Sequence, residues 1–352
     1  MKTGYYEAVG AVHMHSTYSD GSRPIPEIAA IAGRKNLDFL MFTDHNTLEP
    51  KRQGLEGWYD KVLVLIGYEI NDSDDRNHYL AFRLDKEVEP DLPALEYVRR
   101  VKENGGFGVI AHPAEKRDFS DAYPPYPWTA WNTDAFDGIE IWNQLSEWIE
   151  GVTRINIAYR IVHPLRSIRF PEWETLQRWD TLNLQRRVVG VGGIDVHAYQ
   201  LKILGLIPLT IYPYKVQFRS IRTHILTERP IFKENNPIAF SSAEVLLFDA
   251  LARGRCFISN YSLGDARGFV FTAENDEKTL HMGSRTSGGR WRFMIKAPLP
   301  GTIRMMRDGQ VVRQMRSSRL DMEADRPGVY RVEIFRKKRG WIYSNPIVIL
   351  KG

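Results

Sequence analysis

Histidines and carboxylates recur at the ends of short apolar runs through the first two-thirds of this chain, and no other feature constrains its fold as much. Runs over 9–15, 38–43, 62–70, 78–84, 108–112, 138–142 and 188–195 are apolar and short, which predicts strands. Amphipathic stretches at 25–35, 92–104, 145–160 and 173–187 alternate with them and predict helices. Pro93 and the Gly105-Gly106 pair punctuate the second helix, and Ser241 with Glu244 reads as a capping box for a later one. Strands alternating with helices predict a mostly parallel sheet or barrel. In such a barrel the C-terminal strand ends meet at one mouth.

The polar residues at those ends form a set. His13 and His15 are two apart, so on a strand they face the same side, and Asp195 with His197 repeats the arrangement. Asp20 follows in a Ser-rich loop, His45 closes the second run, Glu69 closes the third, His78 comes nine residues later, and His112 ends another. Six of the nine histidines fall in this set, so separate structural roles for all of them would be a coincidence. His163, His224 and His281 have no such context and read as structural. Imidazole with carboxylate and no thiolate suits Zn²⁺, Mn²⁺ or Fe²⁺. Nine ligands are too many for one ion, so two to three divalent ions are expected, with a carboxylate such as Glu69 bridging two of them. A hydroxide bridging such ions is a nucleophile at neutral pH.

The stretches His13-Met14-His15-Ser16-Thr17-Tyr18-Ser19-Asp20-Gly21 and Thr43-Asp44-His45-Asn46-Thr47 resemble the first two motifs of the PHP (polymerase and histidinol phosphatase) superfamily. Glu69, His78, Ala111-His112-Pro113 and Gly193-Ile194-Asp195-Val196-His197 resemble its later motifs, so the likeness spans roughly residues 8 to 262. The resemblance implies a distorted (β/α)7 barrel with a di- or trinuclear centre. By that analogy His13, His15, Glu69 and Asp195 hold one ion, Glu69, His78 and His112 a second, and Asp20, His45 and His197 a third. Some members carry His at the position of Asp20. The implied activity is phosphoester hydrolysis, with Glu69 and Asp195 in the catalytic centre and Asp44 a candidate proton donor or ligand-orienting group. Two alternatives stay open: hydrolysis of a carboxylic ester or carbamate at the same site, and a non-catalytic scaffold.

A small phosphoester or ester substrate needs contacts beyond the ions. Asn143, Lys116, Arg117, Arg154 and Arg160 are the candidate substrate-binding residues, cations because a phosphate would require them. Trp128, Trp131 and Trp142 are candidates for an apolar wall that would instead suit a neutral ester. The Pro- and Trp-rich loop between 115 and 137 is long enough to cover a site.

From about residue 264 the pattern changes to short alternating runs and turn signals, among them Asp308-Gly309, which predicts a hairpin. The expected organisation is a metallohydrolase barrel over 1–263 and a small all-β sandwich over 264–352, with a junction at 262–267 open to proteolysis if it is mobile. The net charge of +5 is uneven: 18 Lys and Arg face 9 Asp and Glu from Asp265 onward. That basic end invites a nucleic-acid partner, although no recognition motif supports one. No apolar run is long enough to span a membrane and Met1–Gly10 lacks an apolar core, so a cytoplasmic protein without a membrane partner is expected. The single Cys256 excludes an intramolecular disulfide and reads as a buried strand residue.

Overall fold

Seven of the apolar runs become strands that close on one another. In the computed structural model, which describes residues 4–117, 124–203, 207–233 and 236–351, they are β1 (Tyr6–Met14), β2 (Phe39–His45), β3 (Val62–Ile70), β4 (Tyr79–Phe82), β5 (Phe107–Ile110), β6 (Gly138–Asn143) and β7 (Val189–Val196). Each pairs with the next, and β7 returns to β1 through Val12 and Gly193, which closes the barrel. All neighbours are parallel except β4, which runs antiparallel to both β3 and β5. That reversal is the distortion. It also explains how His78, just before its strand, reaches the mouth that the other strands reach at their ends.

Side chains alternate across this sheet and build two cores. Val12, Met41, Leu63, Leu65, Leu80, Val109 and Val191 fill the barrel, together with Leu247 and Leu251 of the helix Phe240–Ala252. Val9, Leu40, Phe42, Val64 and Ile66 face outward onto α1 (Ile25–Gly33), α2 (Ala94–Glu103) and the helix Trp173–Gln185. Two further strands, Ile221–Thr227 and Cys256–Asn260, extend the sheet antiparallel from the first half of β1. Cys256 is buried there, and burial raises its thiol pKa.

Two local expectations fail for identifiable reasons. The single helix expected over 145–160 is two short ones, Gln144–Ile149 and Ile157–Val162. Gly151 adopts φ +66°, and Thr153 and Asn156 cap each other's backbone N–H groups, which competes with helix continuation. The capping box at Ser241 is absent: the helix begins at Phe240 after Ala239, so Ser241 lies inside the first turn and caps nothing.

Past Gly264 every regular element among the described residues is a strand, and Phe271, Phe293, Tyr330 and Trp341 anchor a separate core. The hairpin forms at Asp308 and Gly309, both with positive φ, between paired Arg307 and Gln310. The junction at 262–267 is packed into the structure. Leu263 and Ala266 are buried, Trp341 Nε1 donates to Gly264 O at 2.9 Å, and Arg267 donates to Asn36 O at 2.7 Å. The strand Cys256–Asn260 pairs directly with Arg339–Ser344, so one sheet runs from the barrel side into the C-terminal strands. Asn345 reaches back to hydrogen-bond both the N–H and the C=O of Gly190 in β7. Residues 118–123 of the Pro- and Trp-rich loop lie outside the described residues. No helix among the described residues is long and apolar enough to cross a membrane.

Candidate metal centre

Every one of the nine ligand candidates comes to the same mouth. Glu69 is the hub. Its Oε2 lies 3.0 Å from His13 Nε2, 3.3 Å from His15 Nε2 and 3.6 Å from His45 Nδ1. Its Oε1 lies 2.7 Å from His78 Nδ1 and 3.3 Å from His112 Nε2. Asp195 Oδ1 stands 3.4 Å from His13 Nε2 and 3.5 Å from His15 Nε2, while Asp20 approaches His197 Nε2 at 3.1 Å and His45 Nε2 at 3.8 Å.

Strand alternation alone does not bring His13 and His15 together. His13 and Asp195 sit at φ +65° and +50°, and the β1–β7 register shifts between Val12 and Met14. Such backbone costs on the order of 1–3 kcal/mol per residue and persists where surrounding contacts enforce it. Here those contacts are the carboxylates around each imidazole.

The charge balance of the cluster favours cations. Burial opposes the charged form of His15 and His78, yet Asp195 and Glu69 raise His15 to about 9, and Glu69 with Asp75 raises His78 to about 10. His13 is likewise buried and raised, chiefly by Asp195, Glu69 and Glu140. Burial lowers His45 to about 4. Burial also opposes ionisation of Glu69 and Asp195, but the surrounding imidazoles hold both well below the carboxylate range. Four subsets have donor atoms within 4.8 Å of one another: His13, His15 and Asp195; His13, Glu69 and His112; His45, Glu69 and His78; and His15, Asp20, His45 and His197. These overlap the implied three-ion grouping but share His13, His15 and His45 between subsets. His15 Nε2, His78 Nε2 and His112 Nδ1 are buried without a hydrogen-bond partner among the described residues. Converging imidazoles and carboxylates with such orphaned nitrogens fit a bound metal ion.

Around this cluster stand residues the sequence did not assign. Glu140, in β6, places Oε1 2.9 Å from His13 Nδ1 and accepts from the His112 N–H at 2.8 Å through Oε2. A carboxylate behind a ligand imidazole fixes its ring and raises its basicity. Gly193 makes room for it, since a Cβ there would lie 1.4 Å from Glu140 Oε1. Gly193→Ala is therefore expected to push Glu140 off His13 and weaken metal retention by ~10–100-fold, read by competition with a chelator. Retention equal to the parent protein would show that Glu140 has no such role. Tyr214 Oη donates to His15 O at 2.8 Å and ties that segment to the loop at Ser22. No local signal marks Tyr214 in the sequence.

The candidate substrate contacts separate sharply. A cavity of about 440 Å³ opens onto the cluster, lined also by Asn46, Asn71, Asp75, Arg117, Tyr126, Leu145 and Tyr199. Arg117 is the one Lys or Arg in that lining among the described residues. Its Nη2 is held by Glu115 Oε1 at 2.5 Å, and its Nε is buried without a partner among the described residues. Lys116 instead pairs with Glu174 outside the cavity, and Arg154 and Arg160 do not line it. Asn143 is a positioning residue rather than a substrate contact. Its Nδ2 donates to Glu140 at 2.8 Å and Asp195 at 3.3 Å, and its Oδ1 caps the helix Gln144–Ile149. Asp44 does not line the cavity. Both its oxygens are engaged at 2.7 Å by Ser16 N, Ser16 Oγ and Ser19 Oγ, so it orders the loop carrying His15 and Asp20. The expected tryptophan wall lies elsewhere. Trp128 packs on Tyr79, Trp131 under Arg178 and Trp142 against Tyr343. The aromatic faces at the cavity belong to Tyr126, stacked on His78 at 4.9 Å, and Tyr199, stacked on His197 at 4.9 Å.

No family model and no curated protein matches the chain. Among solved structures it is similar to a two-domain protein from Bacteroides vulgatus that contains a predicted PHP-like metal-dependent phosphoesterase, at 15% identity over 98% of this chain and 96% of that one, with a TM-score of 0.47. It is also similar to PsfC from Pseudomonas syringae, at 15% identity over 67% and 86% of the two chains and a TM-score of 0.39. A third is an amidohydrolase from Chromobacterium violaceum with bound sulfate and no metal, at 14% identity over 58% and 92% and a TM-score of 0.32.

Proposed function

We propose that this chain is a metal-dependent hydrolase of the PHP kind, acting on a small phosphoester. The observation that carries the reading is Glu69, a buried carboxylate facing five imidazoles with both of its oxygens. Two to three divalent ions held by His13, His15, Asp20, His45, Glu69, His78, His112, Asp195 and His197 would acidify a water and neutralise charge on the attacked group. Glu140 holds the ring of His13, Asn143 steadies Asp195, and Asp44 fixes the turn that presents His15 and Asp20. Arg117 is the cation positioned for an anionic substrate group, its guanidinium preset by Glu115 before any ligand arrives. The flat faces of Tyr126 and Tyr199 favour a second reading, an aryl ester or carbamate.

Turnover of an aryl phosphate and of the matching aryl acetate, both with Mn²⁺, separates the two. The phosphate is expected to have the higher kcat/KM, with inorganic phosphate a competitive inhibitor. Arg117→Ala should lower that value by ~10–100-fold, the loss of one charge-assisted contact, and leave the acetate nearly unaffected. A faster acetate reaction insensitive to phosphate would replace the phosphoester reading with the ester one.

Metal binding should depend on pH in a calculable direction. Ions bind deprotonated imidazole, so groups near 9 and 10 in the ion-free protein must release protons, and affinity should climb as pH rises from 6.5 toward 10. The ion-free protein should behave oppositely. Raised imidazole pKa values contribute stability that is complete below about 6.5, the unfolded value, and lost as pH passes 9 to 10. Calorimetric titration in buffers of different ionisation enthalpy reads the first trend, and urea unfolding in chelator reads the second. Metal binding without proton release at neutral pH would contradict the assignment.

A further inference from the structure

The stretch from Gly151 to Pro171 contains no Asp or Glu and carries Arg154, Arg160, Arg166 and Arg169. None of the four arginines forms a salt bridge among the described residues; Arg160 Nη1 donates to Trp148 O and Arg166 Nη1 to Tyr159 Oη. They lie near one another and near Arg339. Burial and the nearby charge of Arg169 lower Arg160 against the opposing pull of Glu147 and Glu150, and burial with Arg166 and Arg169 lowers Arg339 against Glu147. Between them, large apolar side chains face outward. Ile155 is 96% exposed and Val162 71%, with Tyr159 about half exposed; Phe170 and Trp173, just after the last arginine, are also about half exposed. The helix Ile157–Val162 buries none of its residues. The segment springs from the mouth side of the barrel, since it follows Asn143, which contacts Asp195, and Leu145, which lines the cavity.

We infer that this protruding segment is a membrane-docking surface for a bilayer bearing anionic lipids, with Ile155 and Val162 entering the interface and the unpaired arginines meeting the headgroups. Outward apolar side chains flanked by unpaired cations are what interfacial binding requires, and Tyr and Trp favour the same depth. A nucleic acid would be served by the arginines but not by Ile155 and Val162, which have no π face for a base. A second copy of the chain in a two-fold contact would set these arginines against their own equivalents. The expectation of no membrane partner rested on spanning segments, which this surface does not need. The inference is independent of the reaction proposed above.

The test is co-sedimentation of the full chain with vesicles of phosphatidylcholine alone and of phosphatidylcholine mixed with phosphatidylserine. Binding is expected to the mixed vesicles only and to fall as salt rises. Arg166→Gln and Arg169→Gln should each weaken it by about fivefold. Ile155→Asp should weaken it by about tenfold or more, from the lost apolar insertion. These side chains are exposed, so bound metal and circular dichroism should match the parent protein and certify the fold. Absence of binding to the mixed vesicles overturns the inference, as does binding that ignores Ile155→Asp. So does tighter capture of single-stranded RNA or an acidic peptide through the same residues, or a dimer in sedimentation velocity that Ile155→Asp dissolves.

Discussion

Glu69→Gln should leave a folded protein that has lost at least one ion per chain and more than ~100-fold of its kcat/KM, beyond what outer contacts to a metal ligand typically cost. Glu69 is buried, and its two oxygens serve two separate groups of imidazoles: His13, His15 and His45 on one, His78 and His112 on the other. Gln has one acceptor and one donor end. Whichever way it turns, an NH2 group faces imidazoles that a carboxylate oxygen had faced. The change also removes the negative charge that helps raise His15 and His78, so fewer protons should be released when ions bind. Elemental analysis after loading and desalting, with calorimetry alongside, reads both effects. Full metal content with activity within about threefold of the parent would remove Glu69 from the centre of the site.

The largest effect on stability is expected far from the metals. Arg331, in the strand Gly328–Arg336, donates from Nε and Nη2 to the two oxygens of Asp180 at 2.7 and 2.9 Å and from Nη1 to Glu333 at 2.6 Å. All three residues are buried, and Asp180 belongs to the helix Trp173–Gln185 on the outer layer of the barrel. Asp180→Ala strands the guanidinium beside one carboxylate in a buried interface. Breaking a buried pair from one side costs about 3–5 kcal/mol. A combined Asp180→Leu, Arg331→Met and Glu333→Leu change removes all three charges and should recover most of that loss. Urea midpoints at constant m-value test both statements. If Asp180→Ala leaves the midpoint unchanged, the other contacts between the C-terminal strands and the barrel, among them Asn345, Arg267, Arg285 and the shared sheet, suffice to hold them together.

The two expectations differ in how much the sequence foretold. The residues around Glu69 could be listed from the linear chain because each sits at the edge of a short apolar run, and the runs themselves announce strands. Nothing near Asp180 or Arg331 announces their pairing, which joins positions 151 residues apart. The same contrast holds inside the site. Lys116 and Arg117 are neighbours in sequence, yet one faces Glu174 and the other the cavity, because Glu115 captures the Arg117 guanidinium. Asn143 and Trp142 lie at a strand end as a substrate contact should, but their polar atoms are taken by Glu140, Asp195 and Glu147.

By itself the sequence determined the alternation of strands and helices, the set of metal-ligand candidates, the change to all-β structure near residue 264 and the hairpin at Asp308-Gly309. Those features depend on side-chain period and on turn residues that act within a few positions of themselves. The tertiary structure decided the reversal of β4 that brings His78 to the mouth, the positive φ of His13 and Asp195, and the placement of Glu140 against His13 across 127 residues. It also decided the pinning of the chain after Ser262 and the clustering of unpaired arginines on one protruding segment. The physical reason is that a backbone's local preference is worth about a kcal/mol or less per residue, while close packing and buried charge in a closed barrel are worth several. Where the two compete, contacts between residues distant in the chain choose the geometry.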